Sequence, residues 1–228
     1  IDKAVSRLMM TRMKLGLFDP PEKVPYSSIP YEMNDCKEHH ECSLEVAKKS
    51  LVLLKNENGI LPLNKDKIKT IAVIGPNADS KSALLGNYNG TPSEYFTVLD
   101  GIREAIGQTA RVYYAQGCHL YKNTVESCAE SGDTFSEAII AAEKSDVVIM
   151  CLGLDSSIEG EEGDASNEYG AGDKNDLSLP GLQQELLEKI HATGKPIILV
   201  LLSGSALAVT WADKNIPAIV QAWYPGAQ

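Results

Sequence analysis

The residues best suited to chemistry lie between positions 153 and 181, GLDSSIEGEEGDASNEYGAGDKNDLSLPG. Asp155, Glu159, Glu161, Glu162, Asp164, Glu168, Asp173 and Asp176 crowd this stretch, with only Lys174 to oppose them. A carboxyl group serves as a general acid near neutral pH only if it keeps its proton, and neighbouring negative charge raises its pKa to that end. The cluster Glu159, Glu161, Glu162 and Asp164 can supply such charge. The stretch is also long and glycine-rich, which is poor material for a core and good material for a loop that carries function. A solvated acidic loop or a cation site is the plainer alternative on composition.

Other segments offer less. TIAVIGPNAD begins like a dinucleotide-binding unit, but no GxGxxG follows the strand and Pro76 occupies the turn. SGSALAV, from 203 to 209, is placed like a nucleophile elbow, yet Ala206 and Leu207 follow Ser205 and GxSxG is not satisfied. His39 and His40 are adjacent at a helix start and cannot share a face, so they read as a polar helix entry rather than metal ligands. Cysteines stand at 36, 42, 118, 128 and 151 without a paired CxxC spacing, which argues against a zinc site. Cys151 lies inside the apolar run VVIMCL and reads as core, whereas Cys118 and Cys128 bracket a short loop open to a disulfide if the protein is exported. Asn89, Gly90 and Thr91 form a glycosylation sequon, relevant only in a eukaryotic secretory setting.

The elements that must position the acidic loop are legible as a pattern. IDKAVSRLMMTRMKLGL, from 1 to 17, puts Val5, Leu8, Met9 and Met13 at helical spacing and stops at Gly16. Pro20, Pro21, Pro25 and Pro30 then mark an extended linker. A second helix is expected over HHECSLEVAKKSLVLLKN, capped by Ser43, with Leu44, Ala47, Leu51 and Leu54 as its apolar stripe. From residue 70 strands alternate with helices. TIAVIG, ARVYYAQG, DVVIMCLG, PIILVLLSG and PAIVQAWYPG read as strands. TVLDGIREAIG, TFSEAIIAAEKS and LPGLQQELLEKIHATG read as helices, the second with a capping box between Thr134 and Glu137. Short Val/Ile-rich runs between amphipathic helices predict an α/β fold, a mainly parallel sheet with helices on both faces, preceded by a helical linker. In such sheets ligands sit at the carboxyl ends of strands, and the acidic stretch leaves one of those ends.

Composition bounds the partners. The chain of 228 residues is 43% apolar and 23% charged, enough to bury a full core. Its formal charge of −10, with no gathered Lys/Arg patch, argues against nucleic acid. No apolar run approaches the roughly 20 residues of a membrane-spanning helix. Ile1 is not a natural start, and Gln228 follows a strand where a covering helix is expected, so the chain reads as part of a longer polypeptide.

One reaction suits a carboxyl group in a glycine-rich loop. Cleavage of a glycosidic bond needs an acid to protonate the leaving oxygen and a second carboxylate near the anomeric carbon, about 5 to 5.5 Å away in retaining enzymes. At this point the residues resemble a family. GLDSSIEGEEGD followed by DLSLPGLQQELLEKI is similar to the second domain of glycoside hydrolase family 3, the exo-acting β-glycosidases. LMMTRMKLGLFDPP, LEVAKKSLVLLKNENGILPL, IAVIGPNAD, LLGNYNGTP, YYAQGC and AWYPGAQ agree in order, covering nearly the whole chain.

The resemblance implies an α/β sandwich domain over 67–228, C-terminally incomplete, with residues 1–66 as the end of a preceding (β/α) barrel domain and its linker. It implies no cofactor and no metal. It gives Glu161 the acid/base position, through a match at Ile158, Gly160, Glu161 and Asp164, with Glu159 and Glu162 as its nearest rivals. It leaves Asp164 the role of shaping the loop. Many relatives place arginine after that aspartate; here Ala165 stands there, and ASNEYGAG reads as an insertion. The nucleophilic aspartate of the family belongs to the barrel in a Ser-Asp-Trp setting, and the only Ser-Asp here, Ser145 and Asp146, opens a core strand. The chain alone therefore holds half of a two-carboxylate site and is expected to be inactive by itself. GLDSSIE with LLGNYNGTP favours the β-D-xylosidase branch over the β-glucosidase branch, with a β-linked oligosaccharide or glycoside as substrate. Asn87 and Tyr88 could reach the aglycone side or simply form a turn. A non-catalytic carbohydrate-binding module that has kept the fold is the alternative of another class.

Overall fold

The computed structural model describes residues 1–124, 130–160 and 174–227. The chain divides into two compact units, Ile1–Cys42 and Ser43–Gln228. In the first unit, helix α1 (Asp2–Lys14) ends before Gly16, which turns the chain at a φ of 72°. The proline-rich stretch beyond it folds into short 3-10 turns at Pro21–Lys23, Pro25–Ser28 and Tyr31–Met33. His40 lies 2.7 Å from the Asp35 carboxylate, so the histidine pair belongs to the helix entry. Helix α2 (Lys37–Ser50) runs across the division between the units.

The second unit is built on a six-stranded sheet with strands β1 (Val52–Asn56), β2 (Thr70–Ile74), β3 (Arg111–Ala115), β4 (Val147–Gly153), β5 (Ile197–Leu202) and β6 (Ala218–Gln221). Their spatial order is β1-β6-β5-β4-β2-β3, and every pairing is parallel except β1 with β6. Between the strands lie α3 (Val98–Ile106), α4 (Phe135–Glu143), α5 (Gln183–His191) and α6 (Thr210–Asn215). Side chains alternate across each strand. Ala72, Ile74, Val148, Met150 and Leu199 pack with Ala138, Leu186, Leu187, Ile190 and Ala212 of α4, α5 and α6. Ile71, Val73, Ile149, Cys151 and Ile198 pack on the opposite face with Leu99 of α3. The result is the α/β fold with helices on both faces, and Cys151 is fully buried in it.

Two local expectations are corrected. Helix α2 begins at Lys37, so Ser43 lies inside it, and LVLLKN is not its continuation but strand β1. The open edge of β6 offers a ladder of backbone partners, Val52 opposite Gln221 and Asn56 opposite Ala218, and that pairing overrides the helical stripe. The capping box expected at Thr134 and Glu137 does not form: the Thr134 hydroxyl donates instead to the Gly117 carbonyl at 2.5 Å. A capping box is found at α3, between Thr97 and Asp100.

Candidate functional site at the carboxyl edge of the sheet

The parallel strands end side by side, and two glycines allow it. Gly75, after β2, has a φ of 128°, and a Cβ there would lie 2.1 Å from the Cys151 carbonyl oxygen. Gly153, closing β4, has a φ of 137°, and its Cβ would lie 2.0 Å from the Leu202 carbonyl oxygen. No other residue fits either position, because the next strand's backbone occupies the space a side chain needs. The end of β4 is clamped by the buried side chain of Gln183. Its Oε1 accepts from the Gly153 N–H at 2.7 Å, while its Nε2 donates to the carbonyls of Gly153 at 2.8 Å and Leu120 at 2.7 Å. Asn77, in the loop after β2, donates to the Leu154 carbonyl at 2.8 Å, and its buried Oδ1 has no partner among the described residues.

Beyond β4 the chain makes a tight turn. Buried Asp155 accepts from the Ser157 N–H at 2.9 Å and the Ser157 hydroxyl at 2.5 Å, and its carbonyl accepts from the N–H groups of Ile158 and Glu159, each at 3.1 Å. Ile158 is plugged into the core, only 1% exposed. Glu159 then points at two other strand ends. Its Oε2 accepts from the Gly204 N–H at 2.8 Å, after β5, and from the Tyr224 hydroxyl, after β6. Its carbonyl accepts from Asn87 Nδ2 at 2.9 Å. Burial first, and then the hydrogen bond to Glu159, push the Tyr224 phenol above its ordinary value, so it remains a neutral donor. Beside Glu159 lies a cavity of about 280 Å³ also lined by Ile158, Lys174, Asp176, Leu177 and Ser205.

Of the acid candidates, Glu159 lies in the described structure, while Glu161, Glu162 and Asp164 lie outside the described residues, as does Cys128. Cys118 is buried, which pushes its thiol up to about 12. Asn87 contacts the acidic loop through the Glu159 carbonyl, whereas Tyr88 is 86% exposed at a φ of 59°. Ser145 and Asp146 sit at the opposite, amino edge. The Asp146 carboxylate accepts from the N–H groups of Lys69 at 2.8 Å and Thr70 at 2.9 Å, tying β4 to β2. Gln183, Asn77, Gly204 and Tyr224 were not singled out from the sequence. What marks them is position: Asn77, Gly204 and Tyr224 fall within a few residues after a buried parallel strand, where such sheets place ligands.

The sequence pattern of the glycosyl hydrolase family 3 C-terminal domain matches residues 51–228. A β-xylosidase of Formosa agariphila is 41% identical over 233 residues, covering 99% of this chain and 30% of the relative. Among solved structures, a family 3 exo-β-xylosidase in complex with a xylobiose aziridine activity-based probe superposes with a TM-score of 0.81 at 31% identity, over 97% of this chain and 26% of that one. A β-glucosidase of Listeria innocua in complex with isofagomine gives a TM-score of 0.79 at 26% identity, over 100% of this chain and 29% of that one. The chain thus spans less than a third of the length of these relatives.

Proposed function

The chain belongs to glycosyl hydrolase family 3, and from that premise we propose that it is part of a retaining exo-acting β-glycosidase, a β-D-xylosidase, to which it supplies Glu161 as general acid/base. The observation that carries this reading is the use made of Glu159. One of its oxygens already accepts from Tyr224 and Gly204. Two donors from neighbouring strand ends already occupy that oxygen, so the side chain is tied to its own domain and suits an anchor. Glu159 therefore recedes as a rival, and Glu161 takes the acid's role ahead of Glu162 on the motif match.

In this reading residues 1–66 carry the chain out of a preceding (β/α) barrel, with Val52–Asn56 lending an edge strand to the sandwich domain of 67–228. Val5, Leu8 and Met13, each about half exposed or more on α1, are the apolar face that the barrel would cover. The barrel contributes the nucleophilic aspartate. Glu161 protonates the leaving oxygen as the aspartate attacks the anomeric carbon, and then takes a proton from the water that releases the sugar. Xylose is placed ahead of glucose on the 41% identity to a β-xylosidase; the likeness to a β-glucosidase structure keeps glucosides as the alternative substrate.

General acid catalysis contributes roughly 10²–10⁴-fold, and its loss is felt most where the leaving group is poor. In the complete polypeptide, Glu161→Ala is expected to lose about that much in kcat/KM on phenyl β-xyloside and far less in kcat/KM on dinitrophenyl β-xyloside, because kcat/KM reports the step in which the aglycone leaves. Equal losses on the two substrates would remove Glu161 from the role.

A further inference from the structure

We infer that Glu159 and Tyr224 form a positioning pair that holds the root of the acid-bearing loop at the carboxyl edge of the sheet; the inference rests on the reading of Glu161 as the acid. Three strand-end loops converge on Glu159. Asn87 reaches its carbonyl from the segment after β2, Gly204 reaches Oε2 from behind β5, and Tyr224 reaches the same oxygen from behind β6. The fit is close: a Cβ on Gly204 would lie 3.1 Å from Tyr224 Cε2 and 3.3 Å from Glu159 Oε2. Below the contact, the Asp155 turn and the buried Ile158 fix the chain that leads into it.

The consequence follows from chain geometry. Two residues of chain span at most about 7 Å, so holding Glu159 limits the volume that a carboxylate two positions further on can sample. Acid catalysis depends on that carboxylate lying within hydrogen-bond reach of the leaving oxygen, and displacements of about 1 Å are costly. Neither Glu159 nor Tyr224 need touch the sugar for this. Tyr224 suits the task because its phenol stays protonated, and Glu159 suits it because one carboxylate oxygen has lone pairs enough to accept both bonds.

The test uses the complete polypeptide with phenyl and dinitrophenyl β-xylosides. Tyr224→Phe and Glu159→Ala are each expected to lower kcat/KM on the phenyl glycoside roughly tenfold, the upper scale of one hydrogen bond, and to change kcat/KM on the activated substrate much less. Because Tyr224 acts through Glu159, the double variant falls no further than Glu159→Ala alone. Glu159→Gln, whose amide oxygen can accept the same two bonds, loses less than Glu159→Ala. Losses equal on both substrates, or losses that add in the double variant, overturn the inference. Glu161→Ala with and without azide is measured beside them. If it behaves as an acid variant while Tyr224→Phe slows both substrates alike, the pairing alone falls. If Glu161→Ala matches the parent, the acid is another group and both readings fall.

Discussion

Gln183→Met tests how the fold holds the end of β4, from which the acidic loop departs. The substitution keeps length and approximate volume but removes every polar atom of a side chain that is fully buried. It strips the Gly153 N–H of a 2.7 Å bond and the Gly153 carbonyl of a 2.8 Å bond, and the Leu120 carbonyl loses its own at 2.7 Å. A buried polar group deprived of its partner costs about 1–3 kcal/mol. With two such groups on buried Gly153, the expected loss is about 3 kcal/mol or more, a large share of the roughly 5–15 kcal/mol that holds a domain folded. For a body of 150 to 250 residues that corresponds to a fall of about 6–12 °C in the melting midpoint. Differential scanning calorimetry of the complete polypeptide reads the transition directly. A fall of less than about 2 °C would mean that strand pairing alone secures the β4 terminus and that the amide clamp is incidental.

Gly153→Ala places a methyl 2.0 Å from the Leu202 carbonyl oxygen at a φ of 137°, so it should prevent folding or lower the midpoint by more than about 10 °C. Gly194→Ala, at a φ of 72° with no atom within 4 Å of its Cβ, costs only the left-handed backbone penalty of about 1–2 kcal/mol. Parallel thermal melts showing equal effects would refute the steric argument. Asp146 is held below the usual carboxylate range, chiefly by the Lys69 N–H and then by the Thr70 N–H. A lowered folded-state pKa means that its contribution is complete above the unfolded value near 4 and is lost as pH falls through the folded value. Asp146→Asn should therefore flatten the decline of the melting midpoint as pH falls below about 4; an unchanged slope would show that the tie between β2 and β4 does not respond to that charge.

The central strands were legible because IAVI, VVIMCL and IILVLL are apolar on both faces, which only a covered parallel sheet accommodates. Helices α3 and α5 were legible from the spacing of their apolar residues and the glycines that follow them. Strand β1 was not, since Leu51 and Leu54 extend a helical stripe, and only β6, from the far end of the chain, supplies the ladder that makes the segment a strand. The Thr134 cap failed for a similar reason, as its hydroxyl is drawn to Gly117 in another loop. The site divides along the same line. The acidic loop announced itself through residue types concentrated in one stretch, whereas Gln183 and Tyr224 act by reaching across to Gly153 and Glu159. Local sequence carries no trace of a contact that exists only once four strand ends are brought to one edge.

The measurement that bears most directly on the account is hydrolysis of dinitrophenyl β-xyloside, whose aglycone leaves without an acid, by the complete polypeptide and its Glu161→Ala variant, each with and without azide. With its acid/base removed, the variant should stall at the covalent glycosyl-enzyme, and azide should attack the anomeric carbon, displace the barrel aspartate and release β-xylosyl azide. Recovery of turnover with that product in the variant alone is the predicted result. A variant that matches the parent without azide, or that azide leaves unchanged, would contradict the assignment of Glu161.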